Sequence, residues 1–215
     1  RWGGGLCRHC LHAIVRIEQG CLRCGAPVPE VSGPRASCLQ CRDGRWPARR
    51  VMAVGVYQGM LQATVIKMKQ PGSEALAYSL GQFMGKWLKA NAPSLDYDLI
   101  VSTPKHWWKQ WQRPHNSAEL LADAISYHLG QPVDHRLLRR VRLTAKQGTL
   151  QRHARAENVR RAFEIPRKHR VAGRSVLLVD DIVTSGSTMA EMTEAMYQAG
   201  ARVVDVACLA RGIGR

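Results

Sequence analysis

No apolar run in this 215-residue chain approaches the roughly 20 residues needed to cross a bilayer, which argues against a helical membrane span. No apolar leader stands near the start, so no secretory signal is visible. The chain opens on Arg1 rather than Met, and some N-terminal sequence is expected to be missing. Acidic residues are scarce: 16 Asp and Glu face 32 Lys and Arg, for a formal net charge of +16 and a pI near 10.2. That imbalance predicts an anionic partner, and a pI above about 9 is the mark of a nucleic-acid binder. The basic residues are spread along the chain: Arg45, Arg49 and Arg50; Lys67 and Lys69; Lys105, Lys109 and Arg113; and a dense stretch from Arg136 to Arg174. Such spacing is a weaker sign than one basic tail and also fits a solvated surface. Disorder is excluded by the ordinary apolar fraction of 45%. The length fits one substantial domain with a small appendage.

Cysteine is concentrated rather than absent. Six of the seven cysteines fall within the first 41 residues, as the Cys-x-x-Cys pairs Cys7/Cys10, Cys21/Cys24 and Cys38/Cys41. A Cys-x-x-Cys turn puts two thiolates within reach of one tetrahedral ion, and two such knuckles close a four-thiolate zinc site. Gly25 and the Pro- and Gly-containing loop to Ser37 suit a zinc ribbon. A disulfide framework would require an oxidising compartment and an export signal. Redox chemistry would need one pair on a βα turn. Zn2+ is therefore expected, in a structural role, because four thiolates leave no position for water. The preferred ligands are Cys21, Cys24, Cys38 and Cys41, leaving Cys7 and Cys10 to await a pair upstream of Arg1. Spacing alone leaves open the alternative set Cys7, Cys10, Cys21 and Cys24. Cys208, in the apolar run Val203–Ala210, reads as core.

From residue 50 onward strands alternate with helices. Val51–Tyr57, Tyr97–Ser102, Ser175–Asp180 and Arg202–Leu209 read as strands. Helices are expected over Gln58–Lys69, from a Ser73 cap to about Ala90, from an Asn116 or Ser117 cap to His128, and over Ser187–Ala199 before Gly200. This alternation implies βαβ units and a mostly parallel sheet with flanking helices, with ligands at the carboxyl ends of its strands.

The segment Val176–Thr188 carries the chemistry. A buried strand leads into Asp180 and Asp181, and a hydroxyl-rich loop then opens a helix. Thr184, Ser185, Gly186, Ser187 and Thr188 offer backbone N–H groups and hydroxyls at a helix N-terminus, a cradle for phosphate. The two acids would repel phosphate, so they suit the vicinal hydroxyls of a sugar, or a Mg2+ beside them. Together they suggest a 5-phosphorylated ribose. A Walker A loop fits poorly, since no Lys follows the glycine.

This segment resembles the phosphoribosyl pyrophosphate (PRPP) signature of type I phosphoribosyltransferases. Preceded by Cys-x-x-Cys-Gly and a further Cys-x-x-Cys, it makes the chain similar to the ComF family, which includes GntX-type DNA-utilisation proteins. Val101-Ser-Thr-Pro104 with Trp111, Arg113 and Asn116 resembles the family's pyrophosphate-loop region. Thr144, Gln147, Leu150, Arg155, Asn158, Ala162 and Phe163 resemble its flexible hood, and Val65–Lys69 its Leu-Lys segment. Pro114-His115-Asn116-Ser117 stands where the family usually has Gly-Phe-Asn-Gln. Pro114 removes a backbone donor there. The resemblance implies a type I phosphoribosyltransferase-like α/β domain over 49–215 behind a zinc-ribbon region over 1–48. It also implies a cytoplasmic protein of DNA uptake, competence or DNA utilisation, with single-stranded DNA and uptake or recombination proteins as partners.

Lys105 and Arg113 are the expected pyrophosphate contacts. Lys67, Lys69, Arg152 and Arg155 are expected on DNA phosphates. Trp107, Trp108 and Trp111, set among cations, could stack on bases at about 1–3 kcal/mol each, although Trp107 and Trp111, one helical turn apart, fit core packing better. Two functions remain. One is a DNA-uptake accessory protein with a PRPP-type pocket. The other is an active phosphoribosyltransferase that moves the 5-phosphoribosyl group to a nitrogenous acceptor. No base-recognition pattern is readable in Val206–Arg211, which favours the first. A zinc-ribbon transcription factor is disfavoured by the ribbon's shortage of base-reading polar residues.

Overall fold

A computed structural model describes residues 7–29, 38–41, 46–92, 96–104, 115–141 and 159–213. In chain order these form α1 (Arg8–His12), β1 (Arg50–Val56), α2 (Gly59–Lys67), α3 (Glu74–Asn91), β2 (Leu99–Ser102) and α4 (Ser117–Leu129). Then come β3 (Arg139–Arg140), β4 (Phe163–Glu164), β5 (Ser175–Val183), α5 (Ser187–Gln198) and β6 (Val203–Arg211). The sheet order is β1-β6-β5-β2 with every pairing parallel. β3 and β4 form a separate antiparallel pair that the sequence pattern did not announce.

The apolar patterns dictate this arrangement. β5 and β6 are apolar on both faces, as central strands of a parallel sheet must be. Leu177 and Val179 point to one side, where α2, α3 and α4 supply Leu61, Val65, Leu80, Met84, Leu88 and Leu121. Val176, Leu178, Val204 and Val206 face the other, against Met189, Met192 and Met196 of α5. Each fully buried Leu or Met contributes about 1.5–3 kcal/mol. The cysteine-rich segment belongs to the second layer, since Cys21, Cys24, Ala26, Cys41 and Trp46 join the same apolar cluster. That segment is also sewn to the sheet. Ile17 N–H donates to the Val54 carbonyl at 3.1 Å and Val56 N–H to the Val15 carbonyl at 3.0 Å, so residues 15–17 run antiparallel along β1.

Two expectations need adjustment. β5 runs on to Val183, so Asp180 and Asp181 lie within the strand rather than at its end. Ser73 stands at the N-cap of α3 but makes no side-chain capping bond. The first turn is served instead by Glu74, whose carboxylate is held below its ordinary range, first by its own backbone N–H. Asn116 caps α4 as expected, accepting from Ala118 N–H at 3.2 Å.

Arg49 and Arg50 are internal counter-ions. Asp205, fully buried, accepts from Arg49 at 2.8 and 2.6 Å, from Arg50 at 2.7 Å and from the Tyr97 hydroxyl at 2.7 Å. Burial alone would raise this carboxyl, but Arg49, Tyr97 and Arg50 outweigh it and hold it low.

α3 and α4 approach closely at Gly81, where an added Cβ would lie 2.6 Å from the Ala124 Cβ and 2.9 Å from the Leu121 Cα. Gly81→Ala is therefore expected to destabilise the protein by about 1–3 kcal/mol despite alanine's better helix propensity. A urea-unfolding midpoint at or above wild type would contradict that packing.

Candidate functional site

Four of the six N-terminal cysteines come together. The ligand atoms of Cys21, Cys24, Cys38 and Cys41 all lie within 4.8 Å of one another, with Cys21 Sγ–Cys41 Sγ at 3.9 Å and Cys24 Sγ–Cys38 Sγ at 3.4 Å. A tetrahedral ion at about 2.3 Å from each sulfur sets its ligands roughly 3.8 Å apart, so this cluster could hold a metal. Cys7, exposed, and Cys10, half-buried, lie 3.5 Å from each other and are not part of this group. Burial pushes the Cys24 thiol up to about 12. Burial also raises Cys21, yet the backbone N–H groups of Cys24 and Arg23 bring it below the ordinary thiol value. The cluster thus carries protons that an incoming cation must displace.

The second cluster is at the carboxyl end of β5. Asp180 and Asp181 are neighbours there and act on each other electrostatically. Asp181 reaches the α2 side, where Lys69 Nζ meets it at 2.7 Å. Burial opposes the Lys69 charge, but Asp181 and then Asp180 outweigh it and raise its pKa. Asp180 accepts the Asp181 N–H at 2.8 Å. Burial first, and the Asp181 charge second, push Asp180 up to about 8. Arg140, itself lowered by burial, is partly sustained by Asp180.

The loop Thr184–Thr188 follows. Gly186 caps α5 with a left-handed φ of 79°, and the Ser185 and Ser187 hydroxyls lie 3.0 Å apart. A side chain at Gly186 would collide with the Trp46 ring, so the cysteine-rich segment lies directly on this loop. Arg211, 1% exposed at the end of β6, joins the same spot. Its Nε donates to the Cys24 carbonyl at 2.7 Å, and Nη1 donates to the carbonyls of Val183, Thr184 and Gly212. Its guanidinium lies 5.0 Å from the Trp46 ring centroid.

His115, in the segment that departs from the family pattern, also has a place. It reaches the Met68 carbonyl with Nε2 at 2.9 Å and Glu74 with Nδ1 at 2.8 Å, which fixes the turn carrying Lys69. Lys67 is exposed on α2. Lys105, Trp107, Trp108, Lys109, Trp111, Arg113, Pro114, Thr144, Gln147, Leu150, Arg152, Arg155 and Asn158 lie outside the described residues. Sequence reading missed Trp46, His115 and Arg211. Only Arg211 left a signal, as a charge closing the apolar run Val206–Ala210.

Comparison with known proteins identifies the family. The phosphoribosyl transferase domain family matches residues 114–215. DNA utilization protein YhgH of Salmonella typhimurium is 32% identical over 212 residues, covering 96% of this chain and 90% of that protein. The chain belongs to the ComF family of DNA-utilisation and competence proteins. Competence protein F of Haemophilus influenzae is 26% identical to this ComF-family chain over 213 residues, again 96% of this chain and 90% of the other. Solved structures similar to it include the glutamine PRPP amidotransferase of B. subtilis, complexed with ADP and GMP, at 21% identity and TM-score 0.43. That alignment covers 63% of this chain and 27% of the other. The adenine phosphoribosyltransferase of Saccharomyces cerevisiae aligns at 18% identity and TM-score 0.39, covering 68% and 72%. Among the described residues of this ComF-family chain, no helix is long and apolar enough to cross a membrane.

Two predictions follow from the two clusters. The chain should bind one Zn2+ through the four clustered thiols. Cys38→Ser should abolish tight binding and Cys7→Ser should leave it intact, as read by a chromophoric chelator. Affinity should rise between about pH 6 and 8 as thiol protons are displaced; a pH-independent affinity would contradict four thiolate ligands. For Asp180 the folded pKa exceeds the unfolded one, so the native state binds more protons between about pH 4 and 8. Stability attributable to this group therefore falls as pH rises through that window. Asp180→Asn should raise the Tm at pH 8 by about 2–4 °C, the shift expected for 1 kcal/mol in a protein of this size. Scanning calorimetry at pH 5 and pH 8 checks it, and an equal effect at both would refute the assignment.

Proposed function

We propose that this chain is an accessory protein of DNA uptake or utilisation whose phosphoribosyltransferase domain holds a 5-phosphoribosyl ligand, with PRPP the leading candidate. One observation carries the reading. A buried parallel strand delivers two acids, one of them partnered by a lysine, to a hydroxyl-rich loop that wraps a helix N-terminus around a left-handed glycine. Thr184, Ser185, Gly186, Ser187 and Thr188 would take the 5-phosphate, and Asp180 and Asp181 the ribose hydroxyls. Mg2+ bound to the pyrophosphate would neutralise its charge, and Lys105 and Arg113 would contact that group. Lys69 is engaged by Asp181, so we assign it to this pocket rather than to DNA. Lys67, Arg152 and Arg155 remain for the phosphates of single-stranded DNA. Protein partners in uptake or recombination fit the family role.

The cysteine cluster suits structural Zn2+, with Cys21, Cys24, Cys38 and Cys41 as ligands. Reduced thiols of this kind fit a cytoplasmic site. The division into a ribbon region, 1–48, and a phosphoribosyltransferase-like domain, 49–215, is kept. The shared apolar cluster supports the two parts folding together.

A second reading is an active transferase. A nitrogenous nucleophile would form a bond to C1′ as the bond from C1′ to pyrophosphate breaks. Stabilising the departing anion would supply most of the rate. The intact β5–α5 segment favours it, and pyrophosphate release is its measure.

Calorimetric titration of PRPP with Mg2+ into the zinc-loaded chain, with and without a short single-stranded oligonucleotide, tests both. Binding of PRPP at micromolar levels is expected. Asp181→Asn should weaken it at least about tenfold, with oligonucleotide affinity retained. Absence of PRPP binding would overturn the pocket, and equal loss of both ligands would overturn the separation of sites.

A further inference from the structure

The phosphoribosyl loop and the cysteine cluster are fastened together by one buried cation. Arg211 is 1% exposed, and its guanidinium meets backbone carbonyl oxygens and the Trp46 ring. A guanidinium buried this way is costly unless its donors are met, so the backbone around it is held in place. On one side it holds the carbonyl of Cys24, one of the four clustered thiol residues. On the other it holds the carbonyls of Val183 and Thr184, where β5 enters the loop. Trp46, five residues beyond Cys41, makes a second tether by lying on Gly186. The Cys24 turn is itself fixed by Gly25 N–H to the Cys21 carbonyl at 2.7 Å and Cys21 N–H to the Ala26 carbonyl at 2.8 Å. A cation held by all four thiols would lock the turn on which Arg211 hangs.

We propose that Arg211 is a positioning residue for the phosphoribosyl loop, linking it to the cysteine cluster so that metal occupancy sets the loop's order and its affinity for a phosphorylated ligand. The link is reciprocal: a ligand in the loop must tighten the metal by the same factor. Identification of the ligand as PRPP rests on the function proposed above, but the mechanical link does not.

Hydrogen exchange on the full chain separates the two. Amides of 184–190 should exchange at least about fivefold faster after zinc is removed with a chelator, while those of 99–102 in β2 hold their rate. In Arg211→Met the loop should exchange fast with zinc still bound and gain little on chelation. Arg211→Lys, which keeps the charge but lacks the planar fork, should fall between. Trp46→Leu supplies a second variant should Arg211→Met fail to fold, and it should cut the chelation response by about half. A loop rate unmoved by chelation would overturn the proposal. So would an Arg211→Met protein that responds like wild type, or a uniform rise including β2. PRPP affinity, measured on the same samples, should fall about tenfold on chelation. If the loop responds to zinc but PRPP binds neither form, the proposed ligand fails while the link stands.

Discussion

The parallel pairing of β5 with β6 is the constraint on which the rest of this molecule depends. The two strands run side by side from Ser175↔Val203 to Val183↔Arg211, with apolar side chains covered on both faces. A strand buried in this way cannot slip register by one residue without turning its whole pattern inside out. That rigidity fixes where Asp180 and Asp181 stand. It also places Arg211 opposite Val183, within reach of the loop that follows. The two acids are thus held by a stiff strand, and the loop that follows starts from a fixed point.

The excess of positive charge divides into two populations. Part of it is structural: Arg49 and Arg50 close on Asp205, Lys69 on Asp181, and Arg211 on a ring of carbonyls. Asp205, Asp181 and the carbonyls hold these cations in fixed places, although Arg49 keeps 49% of its side chain exposed. Lys67, exposed on α2, stands among the residues available for long-range attraction.

Much of this was legible in the sequence. The doubly apolar runs gave β5 and β6, the 3.6-residue periodicity gave α3 and α4, and the hydroxyl-rich loop after two acids marked the candidate site. The spacing of the cysteines allowed two ligand sets, and only the fold shows that Cys38 and Cys41 return to Cys21 and Cys24. What the chain concealed were contacts made by residues far apart in sequence. Nothing local tells that Trp46 will lie on Gly186, that Arg211 will reach back to Cys24, or that His115 will brace the turn bearing Lys69. The end of β5 was misjudged for a related reason. Acids usually mark a strand's exit into solvent, yet here partners from other elements allow the pairing to continue through them.

The short run of residues 15–17 along β1 has a further meaning. An open parallel sheet ends in a strand whose outer N–H and C=O groups can recruit another chain. On one side that strand is β1, and the segment leading into the cysteine cluster occupies its outer groups. On the other side β2 is partly occupied by the turn after α4, through the Ile100 and Val133 bridge. Both rims of the sheet are therefore guarded from within the same chain. The cysteine-rich region thus hems the β1 edge of the sheet.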